Sequence, residues 1–358
     1  MWAMIVKEFR QVRRDRRTLA MMIVLPILLL VVLGYAASFD VPTITVAAAG
    51  PQASSVSGLL RAPFSVVSQE PDQGRDWAQN QLRDGRANVA VVTGGGRPEV
   101  LIDGSQLFAA RATLAALAKL ENPVSAAGPA GTATATAAVS SPEVTVLYNP
   151  DLNTSDIMIP GLAGVVLVFI GTIITSLGVV RERQSGTLEQ LAVMPLRPRD
   201  VFLGKIVPYF AVAAVDLAIV LAVGIVIFGV PFRGSPAVFG LGALLFLFVT
   251  LGIGVLISSV SQNQGQAIQL AVMTMLPQVL LSGLIFPLSS IAIGVRWIAY
   301  LLPLTYFNEI SKGVMLRAEP LGPLWLPFTC LAVLGAVVVT AATLRFRRFL
   351  APSRVRSA

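Results

Sequence analysis

The sequence predicts an α-helical polytopic membrane protein with six transmembrane helices and an inserted α+β extracytoplasmic domain. Hydrophobic residues make up 55% of the 358 residues and charged residues only 13%, whereas soluble domains carry roughly 25% charged residues. Apolar runs recur at the length of about 20 residues that a helix needs to cross a bilayer. One long stretch, residues 39–155, instead alternates short strand-like and helix-like patterns.

The first two elements follow from the N-terminal residues. Residues 1–18 predict an amphipathic cytoplasmic helix, because apolar positions recur at helical spacing among Lys and Arg. Residues 19–38 predict the first transmembrane helix. A signal peptide is the alternative, but an apolar run of about 20 residues is long for one and fits a transmembrane helix.

Residues 39–155 predict the extracytoplasmic domain. Residues 126–141 within it are rich in Ala, Thr, Ser and Gly and indicate a loop. The acidic pairs of this domain are interpreted as solvated surface residues and not as catalytic pairs: Asp72 with Asp76, and Asp84 with Asp103. The strand-like runs are 43–48, 88–93, 100–103 and 144–147, and the helix-like runs are 74–84 and 106–120.

The later apolar runs predict five more transmembrane helices. Residues 287–322 mix Pro, Trp and Tyr with charged residues. They are predicted to dip partway into the outer leaflet, with an ordinary interfacial loop as the alternative. The boundaries are 157–180 for the second helix, 181–205 for a cytoplasmic loop, 206–229, 237–259 and 267–286 for the third to fifth helices, 324–344 for the sixth and 345–358 for a basic tail.

The basic residues predict the orientation. Lys and Arg cluster in residues 1–18, 181–205 and 345–358, and basic residues beside transmembrane helices stay on the cytoplasmic side, whereas long domains translocate largely regardless of charge. Both termini are therefore predicted to be cytoplasmic. Topology also accounts for the net charge of +8 better than nucleic-acid binding does.

The sequence contains no recognisable catalytic, metal-binding or ATP-binding site. It has no histidine and one cysteine, Cys330, so the usual general base and commonest metal ligand are absent. Gly204-Lys205 lacks the upstream Gly and the following Ser or Thr of a phosphate-binding loop. Asp216 is the only carboxylate within the predicted transmembrane helices. Such a residue indicates a functional site, with a hydrogen bond to a neighbouring Ser or Thr as the alternative.

The loop 181–205 predicts a docking element. Thr187 and Gln190 fit a capping box at the start of a short helix, which Pro195 ends. A short charged helix at the membrane surface suits docking to another protein, with a solvated loop as the alternative. The chain is then either a transport subunit driven by a partner, or a self-contained ion channel or gradient-driven secondary transporter. A membrane-anchored sensor leaves most of the predicted helices unexplained.

A set of motifs resembles, in order and spacing, the ABC-2 type permeases of bacterial ATP-binding-cassette exporters. The resemblance covers nearly the whole chain and looks most like the multidrug-efflux-like subgroup with a large external domain between the first two transmembrane helices. The loop 126–141 departs from that pattern. The motifs are YNPDL at 148–152, IPGL at 159–162, RERQSGTLEQL at 181–191, PLRP at 195–198, LGK at 203–205, LSGLIFP at 281–287 and PLTYF at 303–307.

The resemblance implies a permease that is not an enzyme and holds no cofactor. A separate ABC ATPase subunit would bind ATP and Mg²⁺ and contact the coupling helix, residues 182–194, while a second permease chain, identical or paralogous, would complete a dimer. The dimer would export a hydrophobic or amphipathic, drug-like or lipid-like substrate across the bacterial inner membrane. Membrane lipid is a further partner, nucleic acid is not expected, and a periplasmic adaptor is left open. The implied coupling residues are Arg181, Glu182, Arg183, Gly186, Thr187, Leu188, Glu189, Gln190, Met194 and Pro195.

Two further groups of residues are predicted to act in transport. Hydroxyl and amide side chains of the second and fifth transmembrane helices are predicted to line the pathway at the dimer interface. Hydrogen bonds of the Thr and Ser hydroxyls to their own helices are the alternative. The predicted pathway residues are Thr172, Thr175, Ser176, Asp216, Thr274, Gln278 and Ser282. The exit-gate residues that the resemblance implies are Phe286, Pro287, Trp297 and Tyr306.

Overall fold

The computed structural model describes residues 43–94, 96–121, 142–184 and 198–350. The predictions for residues 1–18, 19–38 and 126–141 therefore lie outside the described residues. The same is true of nearly all of the coupling helix and of the last residues of the basic tail.

Residues 44–147 form a five-stranded mixed sheet with helices on both faces. The strand order is β2-β1-β3-β4-β5. β3 pairs with β4 in antiparallel orientation, and the other pairs are parallel. The bounds are β1 Ile44–Ala49, α1 Ala53–Leu59, β2 Phe64–Glu70, α2 Arg75–Arg83, β3 Val89–Val92, β4 Glu99–Asp103, α3 Leu107–Glu121 and β5 Glu143–Leu147.

The two faces of this sheet pack against different helices. Ala47 belongs to a buried cluster with Leu82 of α2, whereas Val46 and Ile102 belong to another with Ala110 of α3. Successive strand residues point to opposite faces, so a central strand covered on both sides reads as a continuous apolar run. The sequence ITVAAA of β1 is such a run.

The predicted strands and helices of this domain are present, with ends shifted by one residue at most. α1 and β2 are additional elements that the sequence patterns do not predict. β2 is an edge strand of alternating exposure, and α1 has only seven residues.

C-terminal to the sheet, the described residues are largely helical. Among them, four helices are long and apolar enough to cross a membrane: Thr154–Arg181, Tyr209–Val226, Pro236–Val260 and Trp325–Arg345. The element bounds are α4 Thr154–Val168, a π-helical turn Phe169–Ile174, α5 Thr175–Gln184, α6 Pro198–Val226, α7 Pro236–Val260, α8 Gln264–Leu281, a 3₁₀ turn Leu288–Ser290, α9 Ile293–Ala299, α10 Pro303–Arg317 and α11 Trp325–Leu350.

α8, Gln264–Leu281, overlaps the predicted fifth transmembrane helix but ends five residues before the predicted boundary at 286, where Gly283 has a φ of +78°, and it is not among those four. It has 18 residues, with Pro277 in its interior and several glutamines along its length. Its polar side chains lower its mean hydropathy relative to the other long helices. The total of six transmembrane helices therefore stays a prediction.

The centre of the helical bundle is the packing of α7 against α10. The rings of Phe246 and Phe307 stack with centroids 4.5 Å apart, and Phe239 meets Phe307 edge to face at 5.9 Å. On its other side α7 approaches the π-helical turn so closely that a side chain at Gly254 would collide with the carbonyl oxygen of Gly171. Small residues permit this close helix contact.

α6 and α11 lie at the periphery of the bundle. Within their most apolar windows 17% and 22% of residues are buried, compared with 67% for Thr154–Arg181. Val215, Ile219 and Val226 of α6 and Val333 and Val337 of α11 are exposed. These faces suit contact with lipid chains or with another apolar surface.

Candidate functional site

The predicted pathway residues of the second transmembrane helix are buried inside the chain. Thr172, Thr175 and Ser176 are completely inaccessible, and their hydroxyls donate to backbone carbonyls of their own helix at 2.5, 3.4 and 3.0 Å. Thr175 faces Gly254 of α7, where a Cβ would lie 2.9 Å from the Cβ of Thr175. Their exposure therefore gives no support to a position at a dimer interface, which stays a prediction.

The predicted pathway residues of α8 form a polar track along its C-terminal half. Thr274 donates to the carbonyl of Leu270 at 2.8 Å, and the Gln278 amide donates to the carbonyl of Thr274 at 3.4 Å. Ser282 follows one turn later and is also buried. Its carbonyl accepts a bond of 3.3 Å from the side-chain amide of Asn308 on α10.

Two acceptor oxygens at this track accept no hydrogen bond from the described residues. Oε1 of Gln278 and Oδ1 of Asn308 are buried without a hydrogen-bond partner among the described residues. Each amide nitrogen donates to a backbone carbonyl, which fixes the oxygen as the unused atom. A buried polar atom without a partner costs about 1–3 kcal/mol, so these oxygens, together with Oε1 of Gln269 earlier on α8, are unused hydrogen-bonding capacity of the bundle.

Asp216 lies on a different element from the implied exit residues. Asp216 is half-buried on the peripheral helix α6. Phe286 is buried in a cluster that also contains Ile291 of the turn before α9, and Pro287 precedes the 3₁₀ turn. Trp297 is exposed and donates to the carbonyl of Gly294.

Tyr306 connects two helices of the implied exit segment. Its hydroxyl donates to the carbonyl of Tyr300 at 2.5 Å. The Thr305 hydroxyl likewise donates to the carbonyl of Ala299 at 2.7 Å. α9 and α10 are therefore linked by side chains of α10 that bond to the C-terminal end of α9.

Of the predicted coupling residues, the described part of the chain contains only Arg181, Glu182 and Arg183, in the last turn of α5. Arg181 is exposed. The side chain of Gln184, where α5 ends, accepts a bond of 2.9 Å from Gln264 at the start of α8. Gly186, Thr187, Leu188, Glu189, Gln190, Met194 and Pro195 lie outside the described residues.

An apolar groove separates the first half of α4 from the last turns of α6. It has a volume of about 430 Å³ and is lined chiefly by aliphatic side chains, including Met158, Leu162, Ile219 and Val223. Pockets lined in this way favour apolar ligands over polar ones.

A buried ion cluster joins the sheet to the bundle, and it contradicts one interpretation made from the sequence. Arg317, at the end of α10, contacts Glu319 at 2.9 Å and Asp103, at the end of β4, at 3.7 Å. All three side chains are at most 4% exposed. The interpretation of Asp103 as solvated surface is therefore wrong. Asp84 is also only 14% exposed and pairs with Arg83.

The electrostatics of this cluster follow from its burial. Desolvation raises the pKa of Asp103, and the positive charge of Arg317 opposes this shift. The pKa of Glu319 is raised for the same reason, again against the effect of Arg317. Burial and the charge of Asp103 raise the pKa of Tyr148 to about 12. One guanidinium thus faces two carboxyl groups.

The connection from β5 to α4 is fixed by one buried amide. The side chain of Asn149, which is 1% exposed, accepts a bond from the Asn153 amide at 2.9 Å and donates to the Asn153 carbonyl at 3.0 Å. It also lies 3.4 Å from the carbonyl of Gly104. Tyr148 and Leu152 on either side have positive φ angles of 68° and 50°. This turn therefore seats the sheet on the first residues of α4.

Arg317, Glu319 and Asn308 are functional residues that the sequence patterns do not predict. The signal for the first two was the unusual presence of charges in the apolar surroundings of residues 287–322. For Asp103, the signal was its position directly after a strand buried along its length. Asn308 had no signal, because the sequence does not show which face of α10 meets α8.

Comparison with known proteins identifies a family and several relatives of this chain. Residues 16–344 match the family model described as "ABC-2 family transporter protein". The chain is 36% identical over 201 residues to "Probable multidrug ABC transporter permease YbhR" of Escherichia coli, a match that covers 56% of this chain and 55% of YbhR. It is 28% identical over 342 residues to "Probable multidrug ABC transporter permease YbhS", with 88% of each chain covered.

A third relative from Escherichia coli, "Inner membrane transport permease YhhJ", is 31% identical over 210 residues, which cover 58% of this chain and 55% of YhhJ. The matches to YbhR and YhhJ thus span little more than half of those relatives. The family match includes the helical bundle, the sheet and the residues that join them. The chain therefore belongs to the ABC-2 family of transporter proteins.

Proposed function

We propose that this chain is the permease of an ABC exporter and exports a hydrophobic or amphipathic, drug-like or lipid-like substrate across the bacterial inner membrane. The observation that carries the proposal is the family match over residues 16–344. The relatives named as multidrug or inner-membrane transport permeases support the substrate class and the location. Two permease chains pair, and separate ATPase subunits bind ATP and Mg²⁺.

The continuity of α4, the π-helical turn and α5 supports a mechanical coupling. These elements run without a break from Thr154 beside the sheet to Gln184, which belongs to the proposed coupling segment, residues 182–194. At 1.5 Å per residue such a helix is about 45 Å long. Closure of the ATPase dimer on ATP tilts this helix as a rigid element. The bond between Gln184 and Gln264 links the tilt to α8.

The polar track and the apolar groove support an amphipathic substrate. The groove between α4 and α6 offers an apolar surface for the hydrophobic part. When the bundle opens, Gln278 and Asn308 present acceptor oxygens that have no partner among the described residues in the closed packing. Those oxygens match hydrogen-bond donors of the polar part.

The experiment that tests the proposal is purification of the tagged chain from the membranes of its own host. The expected result is an ABC ATPase that co-purifies and hydrolyses ATP after reconstitution in liposomes. A chain that purifies alone and conducts ions or moves solutes down a gradient in liposomes without ATP favours the channel or secondary-transporter alternative.

A charge-reversal variant tests the coupling element. Glu182→Lys with Glu189→Lys is expected to weaken ATPase binding and abolish stimulated hydrolysis, because both carboxylates are proposed to pair with basic groups of the ATPase. The matched control is Asp72→Lys with Asp76→Lys, since these two acidic residues are exposed on the sheet domain. If the Glu182 and Glu189 variant assembles with the ATPase and hydrolyses ATP as the native chain does, these two carboxylates do not pair with the ATPase.

A further inference from the structure

The contact between the sheet domain and α10 is unusual because its centre is ionic. Nη1 of Arg317 lies 3.7 Å from Asp103 Oδ2 and 3.3 Å from the hydroxyl of Ser105, and Nη2 lies 2.9 Å from Glu319 Oε2. Asp103 is oriented in turn by the backbone amide of Ser105, which donates to Oδ1 at 2.9 Å. A single side chain of α10 thus contacts the end of β4.

The backbone on both sides is shaped to admit these groups. Gly85, in the turn after α2, has a φ of +66°, and a Cβ there would lie 3.3 Å from Nη2 of Arg317. Gly313 of α10 leaves no room for a Cβ beside Oε2 of Glu319. Ala318 adopts the left-handed conformation that ends α10, and the amide of Glu319 donates to the carbonyl of Gly313 at 3.0 Å. The carboxylate of Glu319 is therefore turned back toward Arg317.

The ionic side chains are shielded from water, and an apolar group lies next to them in the chain, with Leu316 directly before Arg317. Leu107 of α3, Ile157 of α4 and Leu316 of α10 form a buried group, with Leu152 packed against it. Electrostatic attraction is much stronger in such surroundings than in water. The cost is high as well, because a buried charge that loses its partner is strongly unfavourable. The cluster therefore resists separation of the sheet domain from α10.

The cluster is not the arrangement that maximises stability alone. Two carboxyl groups share one guanidinium, and Arg317 Nε has no hydrogen-bond partner among the described residues. Buried ion pairs often contribute less to stability than apolar residues of the same size. Their directional contacts fix the geometry of the parts they join.

We propose that Arg317 is a positioning residue, which fixes the sheet domain to the segment α9–α10 so that the two move as one rigid body. Bonds from Thr305 and Tyr306 to the end of α9 extend this body to α9. That the body moves during export rests on the proposed function, whereas its rigidity does not.

The experiment measures a distance between spin labels on the full chain. Asn80→Cys on α2 and Ile293→Cys on α9 are labelled in a Cys330→Ala background, since Asn80 and Ile293 are both exposed. Double electron–electron resonance on the purified permease, with labelled chain diluted into unlabelled chain so that a dimer carries at most one labelled copy, is expected to give one narrow distance within the chain. Arg317→Gln is expected to broaden the distribution or add a second distance, and Arg317→Lys, which keeps the charge, to restore most of the narrow peak.

The matched control is Arg75→Gln, which removes an ion pair of 3.1 Å with Glu99 inside the sheet domain and is expected to leave the distance unchanged. If Arg317→Gln does not fold, the variant with Asp103→Asn, Arg317→Gln and Glu319→Gln removes all three charges and makes the same test. A folded variant of either kind that keeps the narrow distance overturns the proposal.

A second measurement separates this inference from the proposed function. In the complex with its ATPase, ATP and vanadate are expected to leave the distance between the labels of the otherwise native chain unchanged. A shift overturns the rigid body. Failure to find any ATPase that binds overturns the proposed function, while the result on the permease alone still stands.

Discussion

The ion cluster at the junction and the polar track of α8 use buried polar groups in opposite ways. At the junction, Arg317 forms ion pairs with both Asp103 and Glu319, although Asp103 Oδ2 and Arg317 Nε make no hydrogen bond among the described residues. On the track, Gln278 and Asn308 are neutral, and each has an acceptor oxygen without a partner among the described residues. The first arrangement resists change because separating its charges is costly. The second arrangement is destabilised in this conformation by its unpaired oxygens, and a different conformation or a bound ligand that supplies hydrogen-bond donors would remove that destabilisation.

This difference suggests a division of roles between the two regions. Contacts that must persist through a transport cycle are expected to have their charges compensated in the resting state. Polar groups that act only in another state are expected to have no hydrogen-bond partner in the resting state. Stability measurements on matched variants can decide whether the two regions differ in this way.

The largest effect is expected for Arg317→Gln. The substitution leaves Asp103 and Glu319 buried without their cation, which costs about 3–5 kcal/mol of unfolding free energy. Denaturant or thermal unfolding of the full chain in detergent measures it. Arg75→Gln is the control, because Arg75 is 52% exposed in its pair with Glu99 and such pairs contribute about 0–1 kcal/mol.

A double-mutant cycle sharpens this prediction. Asp103→Asn in the Arg317→Gln background removes one of the two uncompensated charges, so the combined loss is expected to be smaller than the sum of the two single losses. Additive losses would show that Asp103 and Arg317 act independently, and the cluster would then not differ from two separate surface pairs.

A smaller loss is expected for Asn149→Ala. The substitution removes the bonds that its side chain makes with the backbone of Asn153 and leaves buried backbone groups unpaired, at a cost of about 1–3 kcal/mol. The same unfolding measurement applies. Asn153→Ala is the matched control, since Asn153 is exposed and contributes only backbone atoms to these bonds. Equal losses in both variants would remove the special role of Asn149.

The sequence predicts the sheet domain better than its attachment. The runs that became β1, β3, β4 and β5 show the strand signals directly, because these strands are apolar and bounded by turns. β2 lacks that signal: its sequence FSVVSQE places two valines side by side and ends in three polar residues, and the strand lies at an edge of the sheet. The junction depends on Asp103 and Arg317, which are 214 positions apart, and only the folded chain brings them together.

Some of the candidate site residues could likewise be predicted from the sequence and others could not. Sequence patterns single out Gln278 as polar within an apolar run, and the structure shows it buried. They cannot identify Asn308, because its role arises from the packing of α10 against α8. They also predict accessible hydroxyls on the second transmembrane helix, whereas Thr172 and its neighbours bond to their own backbone.

Gln278→Met is expected to change the free energy of unfolding by up to about 1 kcal/mol in either direction. The side chains have similar shape, and the substitution gives up one long bond of 3.4 Å while it removes an acceptor without a partner. The comparison with the junction predicts this contrast with Arg317→Gln. A loss as large as that of Arg317→Gln would show that Gln278 is part of the fixed structure and not an unused group.

The smallest loss is expected for Thr172→Val, at about 0.5 kcal/mol, the lower end of the usual net value of one hydrogen bond. The Thr172 hydroxyl bonds only to the carbonyl of Val168, one turn earlier, and that carbonyl is in a helix where the backbone satisfies it. The measurement is again unfolding of the full chain, with Thr329→Val as the control, since Thr329 makes the same type of bond to Trp325 on an exposed surface. The informative result is a difference between stability and transport. If Thr172→Val keeps the stability of the chain but lowers export by the reconstituted complex, the Thr172 hydroxyl acts in another conformation. A hydroxyl that is hydrogen-bonded in this structure would then act in transport, as is proposed for the unpaired oxygens of Gln278 and Asn308. That outcome would contradict the proposed difference between the two regions, because the hydrogen bonds of this structure would no longer predict which side chains take part in transport.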